Sequence, residues 1–433
     1  MALMDVALGT ALPDLEALAG RSVLVRTQNM LSAAIALIEL DGLVRRLILC
    51  PPDMKDEHLP LVFDMGGVDA VVFDEAPPAI PRAGIVAARL SAAFAPFVSP
   101  LETKLETEWV MFTSGTTGAP KLVVHTRRGL TGAIDAPTIG DEPPPIWGTF
   151  YDIRRYGGLQ VLLRALLGEG SLVLTDSDED ISEFLSRLGL TGATHLTGTP
   201  SHWRSVLMSP AAQAVSPRYI RLSGEIADQG VLDSLSAFYP GVPLVHAYAS
   251  TEAGVGFEVI DGLEGIPASV IDRGDSEVQC RVRDDILHIR SARTARRYLD
   301  GAAPLLDDEG YVDTGDILER RGDRFYFVGR RGGVINVGGL KVHPQEVEAV
   351  INRHPSVRLS VVRGRRNPIT GMVVVAEVVL DAEPTDEDAS RIREEILQAC
   401  HTGLERFKVP MRITFVSTLP ITAGGKLERP SAV

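Results

Sequence analysis

Cysteine is scarce, at three in 433 residues. Cys50, Cys280 and Cys400 stand far apart without paired spacing, which excludes a disulfide frame or a zinc site and leaves them as small core residues. Long apolar runs are missing as well. Stretches such as Met372 to Leu380 fall far short of the ~20 residues a spanning helix needs, and the opening MALMDVALGT has no basic leader region. A cytoplasmic chain with no membrane partner is therefore expected. Positive charge is not in excess either. Lysine and arginine total 43 against 57 acidic residues, a net charge of −14, so the basic footprint of a general nucleic-acid binder is absent. With 41 Gly and 28 Pro the chain stays below the level of low-complexity sequence, and disorder is excluded too.

What is present is a repeated change of hydrophobic period. Short β-rich runs alternate with helical patterns in the succession SVLVRT, LSAAIALIEL, LVRRLILC, LPLVFDMGG and VDAVVFD. The alternation continues through KLVVHT, SLVLTD, DEDISEFLSRLGL, ATHLTGTPSHW, YIRLSGE, DQGVLDSLSAFY and PLVHAYAS. This pattern predicts βαβ units with a largely parallel, doubly wound sheet, whose chemistry sits in loops at the carboxyl ends of the strands. After about Asp272 short strands with turns take over (ILHIRS, FYFVGR), and a second compact α+β unit follows a break near Gly329. The expected architecture is an α/β large N-terminal domain over residues 1–328, doubly wound with mostly parallel sheets plus a small β region. A smaller, mobile α+β C-terminal domain over 329–433 completes it. The second unit carries 15 basic and 12 acidic residues, net +3, against −17 for the first. That asymmetry suits a lid closing over phosphate-bearing ligands, and equally the simple docking of two domains.

Two polar loops stand out. Thr113, Ser114, Gly115, Thr116, Thr117, Gly118, Ala119, Pro120 and Lys121 combine two glycines, four hydroxyls and one lysine directly after a β-run. Glycines let the backbone approach a phosphate, hydroxyls and N–H groups donate to its oxygens, and lysine supplies a point charge. The spacing is not that of a Walker loop. The second loop, Ser250-Thr251-Glu252-Ala253-Gly254, follows LVHAY.

TSGTTGAPK resembles the phosphate-loop signature of the adenylate-forming (ANL) superfamily, which contains acyl-CoA synthetases, peptide-synthetase adenylation domains and luciferases. AYASTEAG, YVDTGDI, FVGRRGGVINVGGLKVHPQEVE and LPITAGGKLER follow in the superfamily's order, so the resemblance covers nearly the whole chain from Gly20. It implies an AMP-forming carboxylate–CoA ligase that uses ATP, Mg²⁺, coenzyme A and a small-molecule carboxylate. The chemistry is coherent: a carboxylate is a poor electrophile, and its acyl-AMP carries a better leaving group. Catalysis of that step is chiefly positioning and charge neutralisation.

By the same resemblance Glu252 would hold Mg²⁺, Thr251 would touch the α-phosphate and Tyr248 would stack on adenine. Asp316 would accept from the ribose hydroxyls, with Arg330 reaching ribose or phosphate. Ser223, Gly224 and Glu225 would lie beside adenine and the acyl pocket. Lys426 would swing in to bridge the substrate carboxylate and the α-phosphate. Gly332 occupies the hinge position, commonly Asp or Lys in the family, and Gly333 follows it. Gly338, Gly339 and Lys341 would line the pantetheine tunnel, with Arg363, Arg365 and Arg366 either meeting coenzyme A phosphates or forming a solvated turn. The stretch TFYDIRRYGGLQ, which matches the family's gate region, offers Arg154, Arg155 and Tyr156 to the acyl pocket or to solvent, and His246 lies where the acyl group would pass or in the core. A tyrosine at 156, where amino-acid-activating relatives place an aspartate, disfavours an amino-acid substrate. Two alternatives remain open: a separate acyl or peptidyl carrier protein as acceptor, or an inactive acyl-adenylate-binding protein. Only 112 residues precede the phosphate loop, fewer than the family usually carries, and an edge or apolar face left open there would be covered in a homodimer.

Overall fold

The computed structural model describes residues 9–12, 14–81, 83–91, 95–96, 105–113, 120–134, 143–175, 179–273, 277–301, 303–367, 371–420 and 426–427. The helices start where capping chemistry tells them to. Asn29, Asp180, Asp228 and Thr385 each accept a first-turn N–H at the head of Met30–Leu40, Ile181–Leu190, Gln229–Phe238 and Asp386–Gly403. Asp386, Glu387 and Asp388 fill the first turn of the last of these, where the helix dipole favours negative charge.

Three sheets build the large body. The first is seven-stranded, in the order Arg297–Tyr298, Lys121–Thr126, Glu108–Thr113, Arg46–Leu49, Ser22–Val25, Ala70–Phe73, Val86–Arg89. Its last five strands are parallel, and the first two are antiparallel additions. The second is six-stranded: Ser171–Val173, Ile146–Thr149, His195–Gly198, Tyr219–Ser223 and Leu244–Ser250 run parallel, and Gly254–Val259 turns back against them. A five-stranded antiparallel sheet follows over 266–330. The doubly wound expectation holds, with antiparallel edges that the apolar runs did not distinguish from parallel strands.

Strand faces explain the runs of Val, Leu and Ile. In Ser22–Val25, Val23 and Val25 enter one core cluster with the helix Met30–Leu40, while Leu24 enters another with Leu59–Gly66. Trp109 is wholly buried, and its indole N–H donates to Asp41 at 3.0 Å. Burial pushes the thiols of Cys50 and Cys400 up to about 12 and about 11, so these two are packing residues.

The C-terminal unit has its own core, running from Ile335 to Ile413. Strands Val357–Asn367, Gly371–Leu380 and Arg412–Phe415 pack with helices Pro344–Ile351 and Asp386–Gly403. The strand Arg324–Arg330 runs through Gly329 and stays paired with the five-stranded sheet, so Arg330 belongs to the large body. The break falls just beyond it, at the single turn Arg331–Gly333.

Candidate active site

Thr113 and Lys121 face each other across an antiparallel pair, so both ends of the phosphate-type loop are pinned to one sheet. Ser114, Gly115, Thr116, Thr117 and Gly118 lie outside the described residues. The Lys121 ammonium sits 5.2 Å over the ring of Tyr298. The Tyr298 hydroxyl is pushed up to about 12, first by burial and then by the nearby Glu252 and Asp300 carboxylates. Lys121, Tyr298 and Glu252 therefore share one neighbourhood.

The Thr251-Glu252 loop is held rigidly from three sides. Ser250 Oγ accepts the N–H of Ala253 at 2.9 Å, and the Glu252 carbonyl accepts the N–H of Ala295 at 3.0 Å. Beneath it His125 Nε2 bonds the Thr251 carbonyl at 2.6 Å. A carbonyl can only accept, so Nε2 carries the proton. Gly254 closes the turn with φ +76°, and a methyl group there would come within 2.4 Å of the Arg293 carbonyl oxygen, so no larger residue fits.

Asp316 organises the opposite wall. Gly315, at φ +69°, shapes the Thr-Gly-Asp turn, and Thr314 Oγ accepts the Asp316 N–H at 3.1 Å. The Asp316 carboxylate then accepts the Tyr248 hydroxyl at 2.6 Å and Arg330 Nε at 2.7 Å. Burial raises the Tyr248 phenol well above its ordinary value, and the Asp316 charge adds to the shift. The Tyr248 ring lies nearly parallel to Phe257 and Phe327, with centroids 5.4 Å apart in each case. For Arg330, burial works against the charge and Asp316 outweighs it, so its pKa is raised.

Lys426 reaches this region from the C-terminal unit. A methyl group on Gly224, which has φ +85°, would lie 3.1 Å from Cε and 3.7 Å from Nζ of Lys426. Burial of the ammonium and the charge of Arg330 lower its pKa, while Glu225 and Asp316 pull the other way; the residue as a whole is exposed. Ser223 is clamped by Tyr151, whose hydroxyl donates to the Ser223 carbonyl at 2.9 Å and accepts its N–H at 3.1 Å. Thus Ser223, Gly224, Glu225, Tyr248, Asp316, Arg330 and Lys426 are brought together.

One acyl-pocket expectation is corrected. Arg154 is only 3% exposed and its guanidinium is spent internally, on Asp152 at 2.8 and 2.6 Å and on the carbonyls of Thr27 and Gln28 at 2.5 and 3.1 Å. It faces neither pocket nor solvent. His246 bonds the Leu263 carbonyl at 3.0 Å, on the same strand face as Tyr248, toward the five-stranded sheet. Ala249, beyond a register shift between Tyr248 and Ala249, packs with Tyr156 in another core. Arg363, Arg365 and Arg366 lie in the strand Val357–Asn367, not in a turn, and Arg363 pairs with Glu377. Tyr156 begins the helix Tyr156–Leu167 and is buried against His125, with ring centroids 5.6 Å apart. Gly338 and Gly339, at φ +59° and +89°, form the turn of the hairpin Ile335–Val337/Leu340–Val342, with Lys341 exposed beside them.

Sequence reading missed His125, Tyr151 and Tyr298. The first lies four residues after Lys121 in KLVVHT, and the strand period that puts both on one face was the available signal.

Comparison with known proteins identifies the family and the fold. The AMP-binding enzyme family model matches residues 57–286, more than half of the chain, and the AMP-binding enzyme C-terminal domain matches residues 346–426. The chain belongs to the AMP-binding enzyme family, within the adenylate-forming superfamily. It is 28% identical over 339 residues to a 2-succinylbenzoate–CoA ligase of Listeria monocytogenes, covering 74% of this chain and 68% of that protein. It is 27% identical over 361 residues to the human mitochondrial acyl-coenzyme A synthetase ACSM2A, covering 75% and 60%. Among solved structures, an anthranilate CoA ligase in complex with anthranoyl-AMP superposes with a TM-score of 0.78 at 16% identity, over 94% of this chain and 86% of that one. The MenE protein of E. coli with OSB-AMS bound gives 0.75 at 19% identity, over 93% and 86%. At these identities the superpositions establish the fold.

Proposed function

We propose that this protein activates a carboxylic acid with ATP, forming acyl-AMP and pyrophosphate, and then transfers the acyl group to the thiol of coenzyme A. The observation that carries this reading is the meeting of Lys426 with the Ser223–Glu225 loop beside the Asp316–Arg330 pair. A lysine from one core and a nucleotide-type wall from another converge where two anions must be brought together. Named relatives that act on 2-succinylbenzoate and on acyl groups as CoA ligases support the class of reaction.

In this reading Asp316 and Arg330 hold the ribose, and Tyr248 orders Asp316 from behind while its ring lies beside adenine. Lys121 and the loop it closes take the outer phosphates. Lys426 bridges the acid and the α-phosphate as the acid oxygen attacks phosphorus and pyrophosphate departs. Thiol attack on the acyl carbon then releases AMP, with Gly332 as the pivot and Gly338, Gly339 and Lys341 along the thiol's approach. Glu252, with Thr251 beside it, would hold Mg²⁺. No group of three or more acidic, His or Cys side chains able to form a metal cage occurs among the described residues, and one carboxylate plus substrate phosphates is how this ion is commonly bound. Bound there, Mg²⁺ would neutralise phosphate charge.

Carboxylate-dependent ATP–pyrophosphate exchange over a panel of aromatic, medium-chain and dicarboxylic acids tests the activation step. Exchange with one class of acid is the expected result, and none with any acid would overturn it. A thioester assay offering coenzyme A alongside a phosphopantetheinylated carrier protein tests the acceptor, and transfer to the carrier alone would replace coenzyme A.

A further inference from the structure

Glu225 makes two hydrogen bonds that no nucleotide contact requires. Its Oε2 accepts the N–H of Ser201, in the first turn of the helix Pro200–Met208, at 3.0 Å. Its Oε1 accepts the N–H of Leu427, the residue after Lys426, also at 3.0 Å. One carboxylate thus joins a helix start in the large body to the main chain of the segment that carries the lysine. The neighbouring Gly224 completes the seat, because any Cβ at φ +85° would press on Lys426 Cε at 3.1 Å. The backbone bond fixes where the lysine's Cα sits, and the bare glycine leaves room for its side chain.

We propose that Glu225 is a positioning residue that docks the C-terminal lysine segment on the large body for the activation step. The proposal rests on the acid-activation reading above. A carboxylate accepting an N–H gives a charge-assisted bond, stronger than a neutral one yet a single contact that can be exchanged for water when the segment leaves. Because both oxygens are engaged, an amide at this position can satisfy only one of the two donors.

Hydrogen exchange on the full-length, nucleotide-free protein tests the docking directly. The wild-type Leu427 amide should exchange at least tenfold more slowly than in an unstructured peptide. In Glu225→Gln, and more fully in Glu225→Ala, that protection should be lost. Leu427→Pro removes the donor without touching the large body and should match Glu225→Ala in pyrophosphate exchange, at roughly ten- to a hundred-fold below wild type. Thioester formation from supplied acyl-adenylate should fall by a factor at least tenfold smaller than that. An unprotected Leu427 amide in the wild type, or protection that survives Glu225→Ala, overturns the proposal even if pyrophosphate exchange falls, since that pattern marks a nucleotide contact alone. Absence of pyrophosphate exchange in the wild type would instead count against the activation reading, and the hydrogen-exchange arm would still decide the docking.

Discussion

The two walls of the site are held in opposite ways. Asp316 accepts bonds from Tyr248 and Arg330 and donates its own N–H to the Thr314 hydroxyl, all on strands of the large body. Lys426 sits on a segment whose Leu427 packs against Leu359, Val361, Val379 and Leu419 of the C-terminal unit, and it is seated through the Leu427 bond and the space over Gly224. On the proposed reading, the part that stays is over-determined and the part that comes and goes is held lightly, and two successive reactions in one site would use both kinds of anchorage.

Removing the mobile partner should have the largest effect. Lys426→Ala should lower pyrophosphate exchange by roughly 10²-fold or more, the scale of losing one preorganised donor, with the melting temperature nearly unchanged. Loss of folding along with activity would show that the lysine is structural and erase the contrast. Acid should next attack the fixed wall. Burial holds His125 and His202 down to about 4, and His202 Nδ1 must stay unprotonated to accept the Thr199 N–H at 3.1 Å. Both are neutral when folded and take up protons near pH 6.5 when unfolded. Their contribution to stability is therefore complete above that pH and declines as pH falls toward 4, by about 1 kcal/mol each by pH 5.5. Chemical denaturation at pH 7.5 and 5.5 would measure it, and substituting His125 should flatten the slope.

Gly254→Ala should destabilise by about 2 kcal/mol, from a left-handed backbone and a clash with the Arg293 carbonyl. The same change at Gly333, where a methyl would meet nothing within 4 Å, should leave folding intact, and thermal melts compare the two. Smallest of all, Tyr248→Phe should weaken AMP binding by about 1 kcal/mol, roughly fivefold, because Asp316 keeps Arg330 but loses its phenol. Calorimetry reads this, and unchanged affinity would place Asp316 outside the nucleotide site.

Part of this is legible in the sequence because loops rich in glycine and hydroxyl side chains carry odd compositions. Thr-Ser-Gly-Thr-Thr-Gly and Ser-Thr-Glu-Ala-Gly cannot be mistaken for core, and the alternation of strand and helix patterns located both ends of each. Tyr151 is illegible, since a polar side chain beside a turn looks the same whether or not it holds a neighbouring loop, whereas His125 shares a strand face with Lys121 and could have been found by that period. Arg154 was misread because a guanidinium satisfied by an aspartate two residues away leaves no trace in composition.

The position of Arg330 has a consequence for the order of events. It closes a strand of the large body, and the turn Arg331–Gly333 begins immediately after it. On the proposed reading, a swing about Gly332 would carry off the lysine while leaving the sugar's two anchors untouched. The activated acid would then stay held through its sugar until the thiol arrives.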